Sequence, residues 1–294
     1  MATTRAPRAE PAPGRLAIVA GSGSLPVRVA TSLVARGEAP PLVLTVVGEA
    51  DPASFPGCET APIAVEEIGD LVGRLRRAGV TRCVLAGGIA RRPALSRLRP
   101  SLGLVRILPS VLRNRAGGDD RILRAIVAHL EGSGIAVVGA QEIAPDLLAG
   151  EGLLAGPAPS AADRRDIAAA AAAARAIGAL DIGQAAIAVG GRAVALEGIE
   201  GTEGLLDRMA SLRGHGRLAG MTGGVLVKCA KPGQELRVDL PAIGLDTVRS
   251  AVQAGLSGIA VEAGRCLVLD AEATLAAAAG ARLFVWGLVP GEGA

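Results

Sequence analysis

Residues 228–244, KCAKPGQELRVDLPAIG, hold the densest chemistry in this chain of 294 residues. Lys228, Lys231, Gln234, Glu235, Arg237 and Asp239 fall within a few positions of one another. Lysine and arginine are the ordinary protein ligands of phosphate. A carboxylate among them can hold a divalent cation such as Mg²⁺ or Mn²⁺, or orient water for attack on phosphorus. Pro241 restricts the backbone just beyond Asp239, which suits a positioned side chain. Upstream, Thr222 and two glycines lead into the same segment. Glu200 and Thr202 stand ahead of an expected helix, with Thr202 a candidate N-cap. From residue types alone, 228–244 reads equally well as a charged surface hairpin closed by internal salt bridges.

A second grouping is built from glycine. The stretch AGSGSLP, 20–26, brings Gly21, Ser22, Gly23, Leu25 and Pro26 to the junction of a strand and a helix. AGGIARRP, 86–93, places Gly87 and Gly88 at the end of another strand. Such turns let backbone amides approach a phosphate, and ligands of open α/β sheets bind at that carboxyl edge. Pro26 interrupts a GxGxxG fingerprint, and no P-loop lysine is present. A nicotinamide-dependent dehydrogenase, with Glu49 as the acid after the second strand, stays as one alternative. A non-catalytic nucleotide-sugar binding module is another. Two histidines, His129 and His215, do not make a histidine metal cage or a catalytic triad.

The elements that must carry these residues follow from periodicity. Apolar runs at 16–20, 42–47, 81–86 and 135–138 alternate with helical patterns through Arg36, at 68–78 and at 117–134. Continuous apolar strands between helices indicate a parallel, doubly wound sheet. The expected organisation is α/β: a disordered lead-in 1–14, an N-terminal Rossmann-like domain 15–150 and a Pro/Gly/Ala-rich linker 151–166. A C-terminal α/β domain with a mixed sheet, 167–294, follows. It holds a hairpin turning at Gly190-Gly191, strands at 224–228, 258–261, 266–269 and 283–286, and helices near 204–212, 246–254 and 271–279.

Half the residues are apolar, enough for a sizeable core, and aromatics are limited to one Trp and two Phe. That scarcity argues against nucleic-acid recognition by base stacking. The net charge of +3 calls for no polyanionic partner. Four cysteines without close spacing are expected as reduced thiols in the cytoplasm. No run approaches the roughly 20 apolar residues of a spanning helix.

Taken in order, IVAGSGSLP, GGDDRILRAIV, VVGAQEIAPDLLAGEGLL, DIGQAAIAVGGRAVALEGIEGTEGLL, GGVLVKCAKPGQELRVDLPAIG and TVRSAVQAGLSGIAVEAGRCLVLD resemble the LpxI family. These are UDP-2,3-diacylglucosamine pyrophosphatases of lipid A synthesis, and the resemblance runs from Leu16 to Leu288. It implies a Mg²⁺-dependent hydrolase releasing UMP and 2,3-diacylglucosamine 1-phosphate, lipid X, with water directed at the phosphorus nearer the sugar. It also implies two α/β domains with the ligand in a chamber between them. The family's essential aspartate lies in its DLP motif, which carries over to Asp239. Lys228, Lys231 and Arg237 become the expected pyrophosphate ligands. Glu235 departs from the aspartate common at its position. An amphiphilic substrate adds an expected aliphatic groove and peripheral contact with the cytoplasmic face of the inner membrane. A homodimer through the C-terminal domain is left open.

Overall fold

The computed structural model describes residues 14–90, 119–218 and 220–289. Almost all of the expected lead-in, the end of the second glycine turn and Gly117–Gly118 lie outside these residues. The chain forms two compact units: among the described residues, unit 1 takes in 14–90 and 121–143, and unit 2 takes in Asp119, Asp120 and the chain from Ala144 on.

Unit 1 contains β1 (Arg15–Ala20), α1 (Leu25–Ala35), β2 (Leu42–Val46), β3 (Glu59–Ile63) and α2 (Leu71–Arg77). Then come β4 (Val80–Ala86), α3 (Asp119–Gly132), β5 (Ala136–Val137) and the short α4 (Ala140–Ile143). Its five strands run parallel in the order β3-β2-β1-β4-β5. β1 and β2 are continuous apolar runs, as strands covered on both faces must be. β3, ETAPI, was not legible as a strand because Pro62 and two polar residues break its pattern. It survives at the sheet edge, where a residue without an N–H is tolerated. The order reverses about β1 and β4, so the crevice between their carboxyl ends is a topological switch point.

Unit 2 contains β6 (Gly152–Ala155), α5 (Ala161–Ala179), β7 (Ala185–Val189), β8 (Arg192–Leu196), α6 (Gly201–Leu212) and β9 (Val225–Lys228). It continues with β10 (Ala242–Ile243), α7 (Leu245–Gln253), β11 (Gly258–Glu262), β12 (Leu267–Val268), α8 (Ala271–Gly280) and β13 (Phe284–Leu288). The main sheet has the order β6-β13-β11-β9-β7-β8. β13, β11 and β9 are parallel, while β6 and β7 pair antiparallel at either side of them. β10 and β12 form a separate two-stranded sheet. The mixed sheet is therefore as expected from the sequence.

The stretch 151–166 differs from the linker its composition suggested. Gly152–Ala155 pairs with β13, and Ser160 caps α5 by accepting from the Asp163 amide while Asp163 accepts from its own. Four residues, GLLA, carry no periodicity; only a partner strand about 130 positions away makes them one. The β7–β8 hairpin turns at Gly190 and Gly191, both with positive φ, 64° and 76°. A two-residue hairpin of this kind requires that backbone.

Packing fixes the sheet between two helical layers. Ala170, Ala171 and Ala174 of α5 pack on Ala186, Ala188, Val225 and Val227. Leu205, Leu206 and Met209 of α6 and Val248 and Ala251 of α7 cover the opposite face with Leu226 and Ile259. A Cβ on Gly258 would fall 2.2 Å from the ring of Phe284, its cross-strand partner. That fit pins the register of β11 on β13 and so the level of their carboxyl ends.

Candidate functional site

The carboxyl ends of β9, β11 and β13 share one edge of the unit 2 sheet. Val261 pairs with Lys228 and Glu262 with Leu288. β7 begins there, with Ala185 opposite Lys228, and β8 ends there, with the Glu197 amide donating to the Ala185 carbonyl at 2.9 Å. Alternation along the strands puts Lys228, Ala185 and Glu197 on the face covered by α6 and α7, because Leu226, Ile187 and Ala195 belong to that core.

Lys228 is 6% exposed, and its Nζ donates to the Ala242 carbonyl at 2.8 Å. Among the described residues it has no acidic partner. A buried ammonium with only a carbonyl is costly, and an anion at its other N–H donors would offset that cost. Beyond it the Cys229 amide donates to the Gln184 carbonyl at 2.9 Å. The Ala230 amide donates to Oε2 of the buried Glu262 at 3.1 Å. Arg175 faces the other Glu262 oxygen at 3.5 Å.

Asp239 is held by a buried glutamine. Gln234 Oε1 accepts from the Lys231 amide at 2.8 Å, and its Nε2 donates to Asp239 Oδ2 at 2.7 Å. The Val238 and Asp239 amides both donate to the Glu235 carbonyl, at 3.0 and 3.1 Å. The segment is therefore a sequence of tight turns, not the surface hairpin that residue types alone allowed. Two of the three expected phosphate cations are paired. Lys231 Nζ donates to Asp181 at 2.8 Å, and Arg237 grips Glu235 through Nε and Nη2 at 2.8 and 2.7 Å. Lys228 is thus set apart within the group.

Thr202 reaches the same edge but does not cap its helix. Glu200 occupies the N-cap position of α6, and Thr202 Oγ1 donates to Glu197 Oε1 at 2.6 Å. Glu197, 6% exposed, accepts from the Gln184 amide through its second oxygen, also at 2.6 Å. Gln184 Oε1 is enclosed without a hydrogen-bond partner among the described residues. Glu197, Glu262, Gln184 and Asp181 were not singled out from the sequence. The only signal was an acid directly after an apolar strand, in RAVALE and GIAVE.

Thr222 does not join this group. With Gly223 and Gly224 it precedes β9, at the opposite end of the strand from Lys228, and lines a cleft of ≈ 580 Å³ with Asp163, Asp166 and Ser257.

In unit 1 the two glycine turns clasp each other. Gly21 donates to the Ala86 carbonyl at 2.8 Å, Ser22 to Gly88 at 2.7 Å and Gly88 back to Ser22 at 3.0 Å. A Cβ on Gly21 would lie 2.2 Å from the Gly88 carbonyl oxygen, and Gly87 has φ 88°. These glycines permit backbone contact between turns, and the amides of Gly21, Ser22 and Gly88 are used there instead of being offered to phosphate. Gly23 has open space around it, and Leu25 and Pro26 open α1. Glu49 accepts from the Ala90 amide at 2.8 Å, bracing the second turn. The dehydrogenase alternative thereby loses both of the features on which it rested.

Burial pushes the thiols of Cys83, Cys229 and Cys266 up to about 12. They stay protonated and inert near neutral pH. Among the described residues no group of three or more His, Cys, Asp or Glu could hold a metal ion. Asp239, with one oxygen taken by Gln234 Nε2, would be the residue to hold a Mg²⁺, which would need substrate oxygens and water besides, and the set does not fit an all-protein cage. No helix among the described residues is long and apolar enough to cross a membrane.

Comparison with known proteins covers both units. Residues 15–147 match the LpxI N-terminal domain and 150–286 the LpxI C-terminal domain. Over 286 residues the chain is 39% identical to the UDP-2,3-diacylglucosamine pyrophosphatase LpxI of Caulobacter vibrioides, spanning 95% of this chain and 99% of that protein.

Proposed function

The chain belongs to the LpxI family, and from that premise we propose that it hydrolyses the pyrophosphate of UDP-2,3-diacylglucosamine to UMP and 2,3-diacylglucosamine 1-phosphate. The observation that carries this reading is the Asp239 carboxylate braced by buried Gln234, on the loop that leaves the buried cation Lys228. Lys228 offsets charge that builds on the phosphate oxygens. Asp239 orients the attacking water and accepts its proton, while Gln234 restricts the carboxylate to one setting. Lys231 and Arg237, tied to Asp181 and Glu235, shape the loop around Asp239. When bound through Asp239, Mg²⁺ supplies further neutralisation of the diphosphate.

The test is incubation of the purified protein with UDP-2,3-diacylglucosamine and Mg²⁺. UMP and lipid X should appear in equal amounts, with ¹⁸O from labelled water in lipid X. EDTA should stop turnover and Mg²⁺ or Mn²⁺ restore it. No UMP would sink the hydrolase reading, and activity indifferent to EDTA would remove the metal.

Peripheral contact with the cytoplasmic face of the inner membrane is part of the same proposal. Leu180 and Ile182, ahead of β7, and Ile199, after β8, are 71%, 53% and 106% exposed. Gly183 lies against Glu197, so the two loops touch. The protein should co-sediment with anionic phospholipid vesicles, and Ile199→Asp should weaken this without unfolding it. Equal sedimentation of the two proteins would discard this surface.

A further inference from the structure

Resting on the hydrolase reading above, we infer that Glu197 is a positioning residue that makes Thr202 a hydrogen-bond acceptor toward the substrate. The substrate group at Thr202 is then a neutral O–H or N–H donor and not a phosphate. A carboxylate offers acceptors alone, so the 2.6 Å contact between Thr202 Oγ1 and Glu197 Oε1 commits the hydroxyl proton inward. What Thr202 has left are lone pairs. The second Glu197 oxygen holds the Gln184 amide, and the Gln184 carbonyl holds the Cys229 amide next to Lys228. One buried acid therefore links the start of α6, the start of β7 and the loop that leaves β9.

Lys228 and Glu197 stand on either side of Ala185 at one level of the sheet, two strand spacings or about 10 Å apart. The edge is thus polar in two senses: donors at Lys228, acceptors at Thr202. Phosphate oxygens, which only accept, belong with Lys228. A sugar hydroxyl, a ribose hydroxyl or an amide N–H belongs with Thr202.

Glu197→Gln reverses this polarity with little change of shape. The single carbonyl oxygen of the new side chain must serve the Gln184 amide, so its NH₂ faces Thr202. Thr202 then accepts from that NH₂ and turns its own proton toward the substrate. Thr202→Val should raise KM about tenfold with kcat within about twofold, the loss expected of a hydrogen bond made equally before and during reaction. Thr202→Ser should stay within about threefold of the wild type. Glu197→Gln should raise KM by a similar factor alone, but by less than about twofold when added to Thr202→Val, because it acts only through the hydroxyl. Product inhibition locates the donor. Weaker inhibition by UMP in Thr202→Val places it on the nucleotide, and weaker inhibition by lipid X places it on the acylated sugar.

Melting temperatures of all variants separate unfolding from repolarisation. A Glu197→Gln protein with unchanged KM, or multiplicative effects in the double variant, would overturn the inference. So would unaltered inhibition by both products. Wild-type protein assayed in parallel keeps the two questions distinct, since failure of the wild type to release UMP counts against the hydrolase reading instead.

Discussion

Asp239→Asn is expected to lower kcat by about 10³- to 10⁴-fold while leaving the fold and KM nearly unchanged, the scale on which a positioned acid or base and its metal contribute. Asparagine keeps the shape, and its carbonyl oxygen can still accept from Gln234 Nε2 at the position now held at 2.7 Å. What it loses is the negative charge that would hold Mg²⁺ and accept a proton from water. Steady-state release of UMP gives kcat and KM, and thermal melting shows whether the loop is intact. Turnover within about tenfold of the wild type would remove Asp239 from the centre of the reaction. Gln234→Leu offers a graded comparison, since it leaves the charge and frees the carboxylate to rotate. A smaller fall in kcat, about tenfold, is expected from that lost restraint.

Lys228→Met should reduce kcat/KM by about 10²- to 10³-fold, the usual cost of deleting a preorganised donor to developing charge. Methionine fills a similar volume in a position that is 6% exposed. The Ala242 carbonyl loses its donor, which costs about 1–3 kcal/mol. Relief of a buried ammonium with no acidic partner among the described residues acts in the opposite direction. The melting temperature is therefore expected to move little while activity falls. Lys228→Arg should not restore it, because a planar five-donor fork cannot take the place of a compact ammonium at an enclosed site. A kcat/KM within about threefold of the wild type would assign Lys228 to packing alone.

The same lysine shows how far the sequence could be read. Its proximity in the chain to Asp239 was legible, and so was the kind of chemistry proposed for both. The pair of Arg237 with Glu235 is one of the internal salt bridges the segment allowed, but the neutralisation of Lys231 by Asp181 was not legible. Asp181 is 50 positions from Lys231, and no local pattern couples them. Thr222 was grouped with Lys228 because six positions separate them, yet a strand between them carries the pair to opposite ends. Thr202 was expected as an N-cap from its place before a helix. The cap position falls two residues earlier, at Glu200, and the threonine hydroxyl instead donates to Glu197, buried just after β8.

The glycine turns make the parallel case in unit 1. Two strand ends rich in glycine were legible, as was their place on one carboxyl edge of a parallel sheet. Their amides could not be assigned beforehand, since the partner of each lies about 66 positions away on the other turn.

The sequence by itself determined the α/β class, the strands of both sheets that run as apolar blocks, and the family. These depend on periodicity, composition and short motifs, all local properties of the chain. Tertiary structure decided which charges are already paired, which amides are already used, and which way a threonine proton points. Those depend on how separate segments meet: Asp181 reaches Lys231 from 50 positions away, and the two glycine turns of unit 1 use each other's amides.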